Sequence, residues 1–334
     1  MTAAESVLAG DRLALSRLLT QVENGTESGK ATLDSLFKHT GHAHLVGVTG
    51  APGTGKSCLV SQIALEVRKA DPALQRSVAI VAVDPSSPFN GGAILGDRVR
   101  MRDLAGDPGV FIRSMASRGA LGGLANATAG VVQVLDAAGF DLILVETVGA
   151  GQSEVDIARL AHTTIVVETP GMGDDIQAIK AGILEIADIL VINKADQPGV
   201  ENTERALRVN LELGYPNGGF HTFIEAGHTS QDAASPSLDA DVWVPPVLKT
   251  VAIESKGIAE LVQTIREHRE YLVKSGLLAL RDRERLNHDF EVLLQERLKQ
   301  DWLKTTDPSK RDEILSLVFD RKLSPGQAVE RLIK

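Results

Sequence analysis

Residues 50–57 read Gly50-Ala51-Pro52-Gly53-Thr54-Gly55-Lys56-Ser57, which fits the phosphate-loop spacing of glycines, lysine and hydroxyl. Glycines let the backbone wrap phosphate oxygens with N–H donors, and the helix that follows points its positive end at them. Lys56 is placed to reach the β- and γ-phosphates of a nucleotide, and the Ser57 hydroxyl is placed for Mg²⁺. Cys58 is the next residue and the chain's single cysteine. It reads as a small buried residue of the first helix after the loop.

Glu146 follows the apolar run 142–145, and Gly149 comes three residues later. A carboxylate ending a buried strand opposite a phosphate loop holds Mg²⁺, commonly through water. Gly149 offers a backbone N–H to the γ-phosphate, so its loop is a candidate switch. Asn193-Lys194-Ala195-Asp196 follows another apolar run, 189–192. The Asp196 carboxylate can accept from guanine N1–H and its 2-amino group, a donor pair that adenine lacks. Each such charge-assisted bond is worth on the order of 1.5–3 kcal/mol, enough to select the base. Asn193 braces this loop, and the Lys194 stem covers the base face. Asp84 and Asp97 lie in Gly-, Ser- and Pro-rich sequence after the run 78–83. Either suits the Mg²⁺ shell or the orientation of an attacking water. Asp97 reads equally well as a helix N-cap.

These residues need a scaffold. Short apolar runs occur at 45–49, 78–83, 110–113, 142–145, 164–168, 189–192 and 247–253, with helical patterns between most of them. Near-continuous apolar strands alternating with helices predict an α/β fold with a doubly wound, mostly parallel sheet. Ligands of such sheets sit beyond the carboxyl ends of the strands, where these motifs fall. Residues 1–42 predict a helical extension built on a stretch at 3–22 and a second at 30–39. The central domain spans 43–275, and residues 213–246 form a Gly-, Pro- and Ser-rich surface excursion. Residues 276–334 predict a charged helical extension with Leu293, Leu294, Leu298 and Trp302 on one stripe. That stripe packs either on its own domain or on a second subunit.

The chain has 334 residues and a formal net charge of −9. That charge argues against general nucleic-acid binding. One cysteine excludes an intrachain disulfide and suits a reducing compartment. No run approaches the ~20 apolar residues of a membrane span, and the start lacks a basic-then-apolar signal pattern. The cytoplasm is the expected location.

As an ordered set, these motifs resemble the MeaB/ArgK/MMAA group, P-loop GTPases associated with methylmalonyl-CoA mutase on the metallochaperone-like branch. The matching segments are Val48–Ser57, Val83–Ser87, Gly91–Met101, Val145–Glu154 and Ile192–Asp196. The resemblance implies a chaperone that hydrolyses GTP to GDP and phosphate. Its client would be an adenosylcobalamin-dependent acyl-CoA mutase, methylmalonyl-CoA mutase or a relative such as 2-hydroxyisobutyryl-CoA mutase. It further implies gating of cofactor loading, protection or reactivation of the mutase, and a homodimer joined in part through the C-terminal helices. It assigns Lys56 to phosphate, Ser57, Asp84, Asp97 and Glu146 to Mg²⁺ and the switch region, and Asn193 and Asp196 to guanine. Segment Ser117–Gly123 resembles the family's extra switch.

Departures are visible. Cys58 stands where relatives often have Thr or Ser, and Arg118 where they often have a small residue. Thr250-Val251-Ala252 has Val in place of the Ser common in guanine-contacting loops, which leaves backbone contacts from Val251 and Ala252. No Ras-like glutamine is evident; Gln152 is the nearest candidate, so slow intrinsic turnover is expected. A metal-delivery GTPase would need soft ligands or a His-rich tract, whereas this chain has one Cys and eight scattered His. A small-molecule kinase linked to amino-acid transport would need a phosphorylated product.

Overall fold

The computed structural model describes residues 1–70, 77–85, 101, 104, 106–117, 123–147, 153–171, 184–214 and 242–333. Seven parallel strands form one sheet in the order β3-β2-β4-β1-β5-β6-β7. They are β1 His44–Thr49, β2 Val78–Pro85, β3 Val110–Ser117, β4 Leu142–Thr147, β5 Thr163–Glu168, β6 Ile189–Ile192 and β7 Val247–Lys249. The described helices, in chain order, begin with α1 Ala3–Leu8, α2 Arg12–Glu23, α3 Glu27–Leu36 and α4 Lys56–Ala70. They continue with α5 Gly123–Ala137, α6 Ser153–Leu160, α7 Val200–Gly214 and α8 Ile258–Ser275. The last three are α9 Leu277–Thr305, α10 Pro308–Phe319 and α11 Pro325–Ile333.

Strand side chains alternate between two buried faces. Val46, Val48, Leu144 and Ile165 pack with Leu59 and Ile63 of α4 and Leu261 and Ile265 of α8. Leu45, Ile143 and Val145 face the other way, onto Leu18 and Leu19 of α2, Leu135 of α5 and Ile157 of α6. Burial on both faces explains why these strands read as continuous apolar runs. The N-terminal helices therefore belong to the second core layer.

The stretch 3–22 forms two helices. Gly10 takes φ +83°, and Asp11 caps α2 by accepting from the N–H groups of Leu13 and Ala14 at 2.8 and 3.1 Å. The last apolar run, 247–253, is a strand only to Lys249. Residues Ala252–Glu254 form a 3₁₀ turn, because Val251 and Lys256 pair with each other across it.

The chain separates into two compact units, Met1–Arg285 and Leu286–Lys334. Within the second, α10 is capped by Asp307, and Ile314 and Ala328 are buried. Leu293, Leu294 and Leu298 are exposed. Among the described residues, no helix is long and apolar enough to cross a membrane.

Candidate functional site

Strand β1 ends at Thr49, and the loop Gly50–Gly55 leads directly into α4. Three glycines of this loop take positive φ: Gly50 at +139°, Gly53 at +83° and Gly55 at +89°. A Cβ on Gly50 would lie 2.1 Å from the Val167 carbonyl oxygen, and one on Gly55 would lie 2.5 Å from Asn193 Nδ2. Both glycines are thus fixed by conformation and by close approach. The Thr54 hydroxyl donates to the Ala51 carbonyl at 3.0 Å. Lys56 is buried at the first turn of α4, and its ammonium donates to the carbonyls of Gly50 and Ala51 at 2.8 and 2.9 Å. The loop is a tight backbone cradle with a buried cation over it. Pro52 and Gly53 face solvent.

Strand β4 runs beside β1, with Glu146 in register with Val48. Its carboxylate therefore reaches the start of α4, where the Ser57 hydroxyl donates to Glu146 Oε1 at 2.6 Å. Both residues are buried. A hydroxyl oxygen and a carboxylate side by side, next to a phosphate cradle, are the hard donors that Mg²⁺ takes. The pair fits that ion on donor chemistry.

The third part comes from β6. Asn193 Nδ2 donates to the Thr54 carbonyl at 2.8 Å. Its Oδ1 accepts from the Thr250 hydroxyl and from the Ala252 N–H, each at 3.1 Å. Lys194 sits at φ +56° and sends its ammonium to the Gly53 carbonyl at 2.8 Å. The Asp196 carboxylate is exposed beyond this turn. One buried amide thus joins three segments that the sequence presents separately: the phosphate loop, the Asn193–Asp196 loop and the Thr250–Ala252 loop.

Other expectations fare differently. The N–H groups of Val251 and Ala252 are engaged inside the chain, with the Lys256 carbonyl and Asn193 Oδ1, both at 3.1 Å. The Val251 side chain is buried. Cys58 is partly buried against the α4 face of the core. Asp84 lies at the carboxyl end of β2, in register with Ala116. Asp97, Arg118, Gly149 and Gln152 lie outside the described residues, as does most of Ser117–Gly123. Sequence reading missed the role of Thr250 as a donor to Asn193. A hydroxyl just past a short last strand was the available signal.

The family model for the methylmalonyl-CoA mutase-associated GTPase MeaB matches residues 15–307. The chain belongs to the MeaB family. A Pyrococcus abyssi relative described as a GTPase is 43% identical, over 99% of this chain and 94% of its own. The GTPase ArgK of Escherichia coli is 36% identical over 83% of this chain and 79% of its own. The mouse mitochondrial methylmalonic aciduria type A homolog is 32% identical over 86% of this chain and 64% of its own. A solved structure titled LAO/AO transport system kinase superposes with a TM-score of 0.65 at 26% identity, covering 99% of this chain and 95% of its own. As a MeaB-family P-loop protein, the chain is a GTP hydrolase that binds guanine nucleotide.

Proposed function

We propose that this MeaB-family GTPase is a chaperone for an adenosylcobalamin-dependent acyl-CoA mutase, methylmalonyl-CoA mutase or a relative such as 2-hydroxyisobutyryl-CoA mutase. Its nucleotide cycle gates cofactor loading and protects or reactivates the client. GTP and water give GDP and phosphate. The loop Gly50–Ser57 holds the phosphates, with Lys56 on the β- and γ-groups. Asp196 reads guanine, and Lys194 covers the base. Ser57 and Glu146, with Asp84 and Asp97 as further acids, would hold Mg²⁺, which would supply positive charge to offset that developing on the phosphates. Gly149 reports the γ-phosphate through its N–H.

The observation that carries the nucleotide reading is the hydrogen bond from Asn193 to the Thr54 carbonyl. It sets the base-reading loop and the phosphate cradle at a fixed spacing, as one ligand spanning both requires. The family description, a methylmalonyl-CoA mutase-associated GTPase, supports the reading of the client. A homodimer, joined through the helical extension 276–334, fits the exposed Leu293, Leu294 and Leu298 on α9. The net charge of −9 fits a protein partner better than nucleic acid. The cytoplasm is the proposed location, away from membranes.

Titration calorimetry of the full chain with GTP, GDP and ATP in Mg²⁺ tests the nucleotide reading. Heat from the guanine nucleotides alone supports it; silence from all three overturns it. Co-purification with candidate mutases, with and without a non-hydrolysable GTP analogue, tests the client. Nucleotide-dependent capture supports the chaperone; no capture of any cobalamin-dependent mutase removes it. The kinase name of the solved relative raises a second reading, which requires a phosphorylated small molecule. Recovery of only GDP and phosphate excludes it.

A further inference from the structure

The amino-terminal ends of the strands, opposite the phosphate loop, hold buried polar groups that nucleotide chemistry does not use. His44 opens β1, His162 precedes β5 and Thr163 opens it, Asp188 precedes β6, and His268 lies on α8; all are buried. The first turns of α9 add Arg281, Asp282 and Arg285. Asp188 accepts from the two terminal guanidinium nitrogens of Arg281, at 3.0 and 2.9 Å, and from the Thr164 N–H at 2.8 Å. His268 Nε2 lies 3.3 Å from Asp188 Oδ1. Thr163 Oγ1 lies 2.8 Å from both His268 Nδ1 and His44 Nε2.

The hydrogen positions at His162 follow from its partners. The Leu45 N–H can only donate, so His162 Nδ1, 3.1 Å away, is a bare acceptor. A carboxylate only accepts, so His162 Nε2, 3.0 Å from Asp282 Oδ1, carries the hydrogen. Both nitrogens are committed in the neutral ring. A second proton has only Nδ1 to occupy, where it would oppose the Leu45 N–H.

We propose that His162 is an acid-operated latch: neutral, it ties the start of β1 to the root of α9, and on taking a proton it must release the Leu45 amide. Every packed element contributes to the balance. From β1, the His44 ring stacks on His162 with centroids 6.0 Å apart and planes within 9°. From α9, Asp282 favours the proton, while Arg285 and Arg281 oppose it; Arg281 also donates to the His162 carbonyl. Asp188 lies beyond Arg281. From α8, His268 reaches Asp188, Arg269 donates to the His42 carbonyl, and Tyr271 packs on His268. Burial is the largest influence and holds His162 below its ordinary value, with the arginines adding to it and Asp282 opposing. The latch is therefore closed at neutral pH and opens on acidification through a point below about 6.5.

Amide exchange of the full chain, read as protection relative to the intrinsic chemical rate between pH 7.5 and 5, tests this. In the wild type, Leu45 protection should fall by up to about tenfold per pH unit as pH drops toward the midpoint, as one linked proton requires, and level off below it. Amides of Val191 and Ile192 should hold. His162→Asn keeps an acceptor near the Nδ1 position, so its Leu45 protection should not depend on pH. His162→Gln keeps a donor near Nε2 only, so Leu45 should be unprotected at every pH. Asp282→Asn removes the group that favours the proton and should shift opening to lower pH. Constant Leu45 protection in the wild type, or a loss spread equally over all strands, overturns the latch even if no variant folds. So does continued acid loss in His162→Asn.

Discussion

The Asn193 side-chain amide donates to the main-chain carbonyl of Thr54 at 2.8 Å, across 139 residues of sequence. The same side chain accepts from Thr250 and Ala252. Its three hydrogen bonds therefore run through one buried amide group.

Asn193→Ala should strip acceptors from two buried donors and a donor from the Thr54 carbonyl. Each orphaned group costs about 1–3 kcal/mol. The expected loss in urea unfolding is at least about 3 kcal/mol, with guanine-nucleotide affinity falling further because the base loop loses its tie to the cradle. A variant with wild-type stability and affinity would show that the amide is not a hub.

Gly50→Ala and Gly55→Ala should differ in severity. The new methyl at position 50 meets the Val167 backbone at 2.1 Å, whereas at position 55 it meets the end of the Asn193 side chain at 2.5 Å. A side-chain amide can rotate away; a carbonyl within a parallel sheet cannot. Gly50→Ala should lower the melting temperature strongly. Gly55→Ala should lower it less but still abolish nucleotide binding. Equal melting temperatures would contradict the ranking.

Much of this was legible in sequence, for stated physical reasons. Parallel strands buried on both faces leave unbroken apolar runs such as Leu142–Val145, and glycines forced to positive φ leave Gly50, Gly53 and Gly55. Tertiary ties left weaker marks. Ser57 and Glu146 are 89 residues apart, and only the strand order places them 2.6 Å from each other. The break between α1 and α2 was written in Gly10-Asp11 but masked by the helical spacing of the leucines around it. The buried set at the strand bases was invisible, because His44, His162, Asp188, His268 and Arg281 share no local spacing.

Glu146→Gln keeps the shape of the side chain and an acceptor for Ser57 while removing the charge. GTP hydrolysis should fall by roughly a hundredfold as transition-state charge loses its support. The fold should stay within about 1 kcal/mol of wild type, as expected when a hydrogen-bonding isostere is retained. Single-turnover hydrolysis and urea unfolding on one preparation check both halves. Unchanged turnover would remove Glu146 from the chemistry.

Asp188 and Arg281 set the acid limit of the fold. Burial works to raise the Asp188 pKa, but the Arg281 guanidinium and His268 outweigh it and hold the carboxyl well below its ordinary 3.8. A carboxyl depressed in the folded state stabilises it fully above the unfolded value and loses that stabilisation as pH falls. The Asp188 contribution is therefore complete at pH 7 and declines only below about 4. Arg281→Met leaves the carboxylate buried without its cation. Stability at pH 7 should drop by about 3–5 kcal/mol. The Asp188 pKa should rise, so acid unfolding should begin at higher pH than in the wild type. Parallel denaturant titrations from pH 3 to 7 measure both effects, and an Arg281→Met curve that merely shifts downward, with no change in its pH midpoint, would show that Arg281 does not hold Asp188 ionised.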